Sequence, residues 1–281
     1  MATVPSTAIL SSLSEQEEEA LFSEYPKVRY AKNPLESVVA EARFPPLLRI
    51  ETEIPAKFQE TLRGEFPLFQ EIIPLSFATP EIMKIFQSSN VIPSAKTFTF
   101  TSADGGWSLA LNRESISLTC RKYSRWNEFR EKWEKTLTAL HAVYEPQFLL
   151  RLGLRYRDVI SKGRLGLQDV PWHDLLSRGI VGVVHTPIEP LLDTSWSQTV
   201  FKLQRGNTQV LLQHGLQPIP PSGEKCYIFD ADFSTQSRTE PHHALDAFQY
   251  FNKRSWYFFR ACIADRLHNA MQPESIEPSG T

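Results

Sequence analysis

Cysteine is scarce in this sequence. Cys120, Cys226 and Cys262 are the only three among 281 residues. They are odd in number, far apart and set among apolar neighbours, which argues against both a disulfide framework and a clustered thiolate metal site. No stretch approaches the roughly 18–20 uninterrupted apolar residues that cross a bilayer, and the N-terminus lacks a basic segment followed by an apolar run. Lys and Arg number 30 against 32 acidic residues, for a net charge of −2. Overall charge therefore draws the chain to neither nucleic acid nor anionic lipid. Gly105-Gly106, Gly163 and Gly166 do not form a phosphate-binding spacing. The seven histidines include no HExxH or HxH, and no GxSxG elbow is present. These absences lead us to expect a cytoplasmic protein with no membrane partner, no cofactor, no metal site and no assignable catalytic residue.

What is present is ordinary globular material: 41% hydrophobic and 22% charged residues, at a length that allows one large domain or two closely packed ones. Residues 1–28 are acidic and poor in large apolar side chains, and read as a flexible tail or a short acidic helix. Strand formers dominate residues 36–44. Phe58, Leu62, Phe66 and Phe69 then recur at helical spacing, with Pro67 as the stop. Three short strands are expected at residues 97–100, 107–111 and 115–120. A long helix follows, N-capped by Ser124 and carrying Trp126, Phe129, Trp133, Leu137, Leu140 and Tyr144 on one face. Only weak helical potential is found at residues 81–87.

From residue 148 the order repeats: a strand at 148–160, a short helix near 171–177, strands near 198–203, 208–214 and 226–233, and a long helix from Pro241 through Leu267. The pattern predicts an α+β fold of duplicated β-α-β(3–4)-α units, in which curved antiparallel sheets each grip a long helix. The expected division is a tail at 1–28, a first half at 29–147, a second half at 148–272 packed on the first, and a tail at 273–281.

Three constellations carry functional expectations. Arg151, Arg155 and Arg157 alternate with Leu152, Leu154 and Tyr156, so the arginines share one strand face that can bind nucleic acid or another anion. Asp230 and Asp232 share a face opposite Phe229 and Phe233. Two such carboxylates can hold a divalent ion, or can pair with the arginines if the strands are neighbours. Trp256-Tyr257-Phe258-Phe259 covers every side of a helical turn, more aromatic surface than one core face buries, which marks Tyr257 and Phe258 as candidate contacts for another protein or a second copy.

Asn33-Pro34-Leu35, Phe44-Pro45, the hairpin of Trp107, Tyr123-Ser124-Arg125-Trp126-Asn127-Glu128-Phe129, Arg151-Leu152-Gly153-Leu154-Arg155-Tyr156 and Asp230-Ala231-Asp232 occur in an order that resembles a sporadically distributed family of uncharacterised bacterial proteins of about 250–280 residues. The resemblance spans residues 30–270. It implies carriage on defence-related or mobile islands, and brings no catalytic residue with it. Arg157-Asp158 departs from the family pattern, where an Asn would follow the tyrosine. The resulting expectation is a non-enzymatic accessory or regulatory subunit of a bacterial defence or stress locus. Two alternatives are a nucleic-acid binder using the arginine row and a metal-dependent phosphodiesterase using Asp230 and Asp232.

Overall fold

The computed structural model describes residues 14–22, 25–72 and 96–275; the segment 81–87 lies outside them. In chain order the elements are α1 (Glu15–Phe22), β1 (Val28–Tyr30), β2 (Leu35–Arg43), α2 (Leu48–Thr52), α3 (Ala56–Leu62), β3 (Leu68–Ile72), β4 (Thr97–Thr101), β5 (Trp107–Asn112), β6 (Ser115–Cys120) and the long helix α4 (Trp126–Tyr144). The second half contributes β7 (Arg151–Ile160), α5 (Lys162–Leu165), α6 (Arg178–Val181), β8 (Ser197–Lys202), β9 (Thr208–Ile219), β10 (Glu224–Thr235), the long helix α7 (Ala244–Cys262), α8 (Asp265–Ala270) and β11 (Pro273–Ser275).

Nine strands form one antiparallel open sheet in the order β3-β4-β5-β6-β2-β7-β10-β9-β8. Within each half the first strand pairs with the last, β2 with β6 and β7 with β10. The two first strands then pair with each other, Ala40 opposite Leu154 and Val38 opposite Tyr156. The duplicated order read from the sequence is thus a duplicated topology, with the two half-sheets joined edge to edge at β2 and β7.

Strand alternation sorts the side chains into two faces. Val38, Ala40 and Ala42 of β2, Leu109 and Leu111 of β5, Ile116 and Leu118 of β6, and Leu152 and Leu154 of β7 are fully buried. They lie beneath α4 and α7, which meet through an edge-on contact of Trp133 with Phe248, ring centroids 5.3 Å apart. Each buried valine, leucine or isoleucine among them stabilises the fold by roughly 2 kcal/mol, enough for the apolar alternation to fix strand register against a one-residue slip. The opposite sheet face carries the arginine row and the two aspartates.

Several boundaries differ from the sequence expectation. The helix expected to run from Phe58 to Phe69 ends at Leu62; Phe66 is buried just beyond it and Phe69 belongs to β3. Ser124 does not cap α4. Its hydroxyl donates to Glu128 Oε2 at 2.6 Å, and extended Arg125 occupies the cap position. The short helix near 171–177 is a single 3₁₀ turn at Trp172–Asp174. The last helix stops at Cys262, because Ile263 and Ala264 are extended; Leu267 packs from the separate α8.

Both ends of the described residues are engaged. Residues 15–22 take the helical of the two readings, and Glu18 is buried, accepting hydrogen bonds from the Tyr250 hydroxyl (2.7 Å) and the Gln204 amide (2.7 Å) beside Arg254. Residues 273–275 return as β11 to pair with β1.

Gly215 of β9 shows how closely the connecting segment before β8 lies on the sheet. A Cβ there would fall 2.0 Å from the Ser195 carbonyl oxygen, whose residue also donates its amide to Leu216 O at 2.9 Å. Gly215→Ala is expected to lower stability by about 2 kcal/mol through backbone displacement. Urea unfolding checks the loss, and faster proteolysis near Ser195 locates it.

Candidate functional site

The arginine row and the acidic pair come together on the open sheet face, and they occupy one another. Arg155 donates from Nε to Asp230 Oδ1 at 2.6 Å and from Nη2 to Asp230 Oδ2. Arg151 bridges Asp232 (2.5 Å) and Glu41 (2.6 Å), while Arg157 pairs with Glu36 at 2.8 Å. In register Asp232 lies opposite Arg155 and Asp230 opposite Arg157, so the first two arginines reach diagonally. Gly153 makes room for this: its Cβ would lie 2.3 Å from Arg151 Nη1. Burial pushes the Asp232 carboxyl up, Arg151 pulls it back, and Glu41 on the same guanidinium adds to the rise. A broad hollow of about 900 Å³ spans this face, but its charged groups satisfy one another. Neither an anion nor a divalent ion finds an uncommitted group among these arginines and aspartates.

The four successive aromatics of α7 divide among three places. Phe258 turns to the core, edge-on to Phe233 and Phe201 at 5.4 and 5.2 Å. Tyr257 is half-buried. Trp256 and Phe259 face a cavity of about 560 Å³ enclosed by β1, the loop before β2, the start of α4 and the second half of α7.

At the wall of that cavity stands Asp158. It shares the parity of Leu152, Leu154 and Tyr156 on β7, so alternation directs it to the helix side of the sheet rather than toward the arginines. Its strand neighbours are Phe229 of β10 and Leu35 of β2. A register shift between Leu35 and Ser37 disrupts β2 at this point, the kind of irregularity that opens space beside a site. Asp158 is 8% exposed, and no donor reaches its carboxyl among the described residues. Burial, reinforced by the Asp230 charge across the sheet, pushes its pKa up to about 8, so the acid is neutral at pH 7.

The surroundings are aromatic. Tyr30 packs on Trp256 at 5.7 Å and on Phe259 at 6.2 Å, and its hydroxyl is tied to His268 Nδ1 at 2.7 Å. Tyr123 meets Tyr156 edge-on at 6.4 Å. The Tyr156 hydroxyl donates to Asn252 Oδ1 at 2.9 Å, and the Trp126 indole donates to Gln249 Oε1 at 2.6 Å. The Trp256 indole N–H is buried without an acceptor among the described residues. Burial raises the Tyr30, Tyr123 and Tyr156 phenols above their ordinary range. Lys27, Arg29 and Arg125 line the same cavity, are exposed, and make no ion pair among the described residues. The site therefore combines aromatic walls, one unpartnered neutral carboxyl and a basic mouth.

The cysteines offer no nucleophile here. Burial pushes the Cys120 and Cys226 thiols up to about 11 and Cys262 to about 12, far from the depressed values of reactive thiolates. Among the described residues no cluster of three or more His, Cys, Asp or Glu side chains is arranged to hold a metal, and no helix is long and apolar enough to cross a membrane.

No family model matches the chain, and comparison with curated proteins finds no match.

Proposed function

We propose that this chain is a non-enzymatic binding protein whose site is the aromatic cavity at Asp158, where it holds a small organic ligand. The observation that carries this reading is Asp158, a residue 8% exposed on the wall of a cavity of about 560 Å³, whose carboxyl meets no hydrogen-bond donor among the described residues. Such a group costs stability unless water or a ligand completes its hydrogen bonding, and a ligand that does so displaces that water into bulk. Pockets that hold small ligands have this build: about 300–1,000 Å³, largely apolar walls and a few convergent polar groups.

An accessory or regulatory role fits a protein that reports a bound ligand to others. Docking through Tyr257 and Phe258 has less to support it than the sequence suggested, because Phe258 is spent on internal packing. The nucleic-acid and phosphodiesterase readings lose their free groups to the ion network on the other face.

Native mass spectrometry of the protein equilibrated with the sub-kilodalton fraction of an extract of its own cells tests the proposal. One ligand mass per chain is expected on the wild type, and none on Ser255→Trp, in which the new indole fills the cavity. No adduct on the wild type, or the same adduct on the filled variant, contradicts the reading. A ligand recovered chemically altered would make the protein an enzyme instead, with Asp158 as its acid.

A further inference from the structure

The cavity's polar groups are arranged with one kind at the wall and another at the mouth, and a ligand that satisfies both must be chemically two-ended. Asp158 offers a buried carboxyl with an O–H donor and a carbonyl acceptor side by side. That pattern is complementary to an acceptor–donor edge, an N=C–NH₂ group on an aromatic heterocycle. Tyr30, Trp256 and Phe259 line the cavity, and an aromatic wall suits a flat heterocycle, since every nucleobase has a π-face to lay against it. Lys27, Arg29 and Arg125 at the mouth have no carboxylate partners among the described residues, and guanidinium and ammonium groups left open in this way suit a phosphate.

Resting on the binding reading above, we propose that the ligand is an aminated nucleotide: its base lies among the rings with the N=C–NH₂ edge on the Asp158 carboxyl, and its phosphate meets Lys27, Arg29 and Arg125.

Binding of this kind depends on Asp158 keeping its proton. The groups that face it leave that dependence clean. Tyr30 and Tyr156 stay neutral because burial raises their phenols, and the Cys262 thiol stays neutral to about 12. Asp230, from β10 on the far side of the sheet, pushes the proton affinity of Asp158 upward. At the mouth, Glu128 is hydrogen-bonded to Ser124, and partial desolvation of Lys27, which is still exposed to solvent, lowers its pKa with help from the Lys253 charge, so part of the phosphate contact also weakens at high pH. Adenosine, which lacks the phosphate, isolates the contribution of the base.

Tryptophan fluorescence and calorimetric titration with AMP, CMP, adenosine and purine riboside 5′-phosphate make the test. AMP and CMP are expected to bind. Purine riboside 5′-phosphate, without the amino group, should bind at least about tenfold more weakly, because the carboxyl loses a partner. Adenosine should also bind about tenfold more weakly than AMP, and that gap should close in Lys27→Ala/Arg29→Ala/Arg125→Ala. Adenosine affinity should fall about tenfold between pH 7 and pH 9 as Asp158 ionises. Asp158→Asn, which keeps a donor and an acceptor but cannot ionise, should remove that pH dependence, and Asp158→Leu should lose at least about tenfold in AMP affinity. Affinity that rises through pH 8 would mean a cationic ligand on the carboxylate, and would overturn the nucleotide assignment. If AMP and CMP do not bind while the cell extract still yields an adduct, the nucleotide is wrong and the binding site stands. If neither binds, both fall.

Discussion

Asp158→Asn is expected to stabilise the protein by about 4 kcal/mol at pH 7, raising Tm by roughly 6–10 °C. Unfolded, an aspartate titrates near 3.9; folded, burial holds Asp158 up to about 8. Between those values the native state carries a proton that the unfolded chain has released. This group's share of stability is therefore fully present below about pH 4 and is lost as pH rises through about 8. The expected slope is a loss of about 1.4 kcal/mol per pH unit across pH 5 to 7. An amide of the same shape meets a similar burial cost without that proton linkage, so the variant should lack the slope. Urea unfolding of both proteins from pH 5 to 8 measures it, and parallel curves would refute the assignment of the buried proton. A stability cost of this size at one residue fits the ligand-binding role proposed for the cavity.

The second large effect lies on the other sheet face. Arg155→Ala leaves the Asp230 carboxylate, 5% exposed, without its two-pronged partner, and is expected to cost about 3 kcal/mol. Arg155→Met/Asp230→Leu removes both charges and should lie within about 1 kcal/mol of the wild type, since apolar side chains replace an ion pair buried only at its Asp230 end at little net cost. The double variant should also lower the Asp158 pKa, because it removes the charge that acts on that group from across the sheet. Equal losses in the single and double variants would show that packing, not charge pairing, holds this face together.

The α+β class, the duplicated order and the strand faces were legible because alternation and helical spacing are local. Val38, Ala40, Leu152 and Leu154 announce their burial in the sequence itself. The pairing of Arg155 with Asp230 was visible only as a condition on neighbouring strands, and the sheet order β7-β10 meets it. The joining of the halves at β2 and β7, and the return of residues 273–275 to β1, depend on long-range contacts that no local pattern encodes. Ser124 shows the limit of capping rules: the hydroxyl had a competing acceptor one turn ahead in Glu128.

The site itself left one readable mark. Asp158 stands where the parity of Leu152, Leu154 and Tyr156 calls for an apolar residue, and an acid on the buried face of a central strand needs a reason. The surplus aromatics of α7 were a second mark, read as an outward-facing surface. Two of them, Trp256 and Phe259, instead line the cavity, because α7 leaves a gap beside β1 and the start of α4. The width of that gap is set by tertiary packing, which the sequence of one helix cannot show.

The most direct test is the titration of the Asp158 carboxyl in the free protein by carbon-13 NMR on aspartate-labelled chain, its resonance identified by its loss in Asp158→Asn. A midpoint near pH 8 is the result expected for an unpartnered acid buried at a ligand cavity. A midpoint near 4 would place that carboxyl in water and contradict the site.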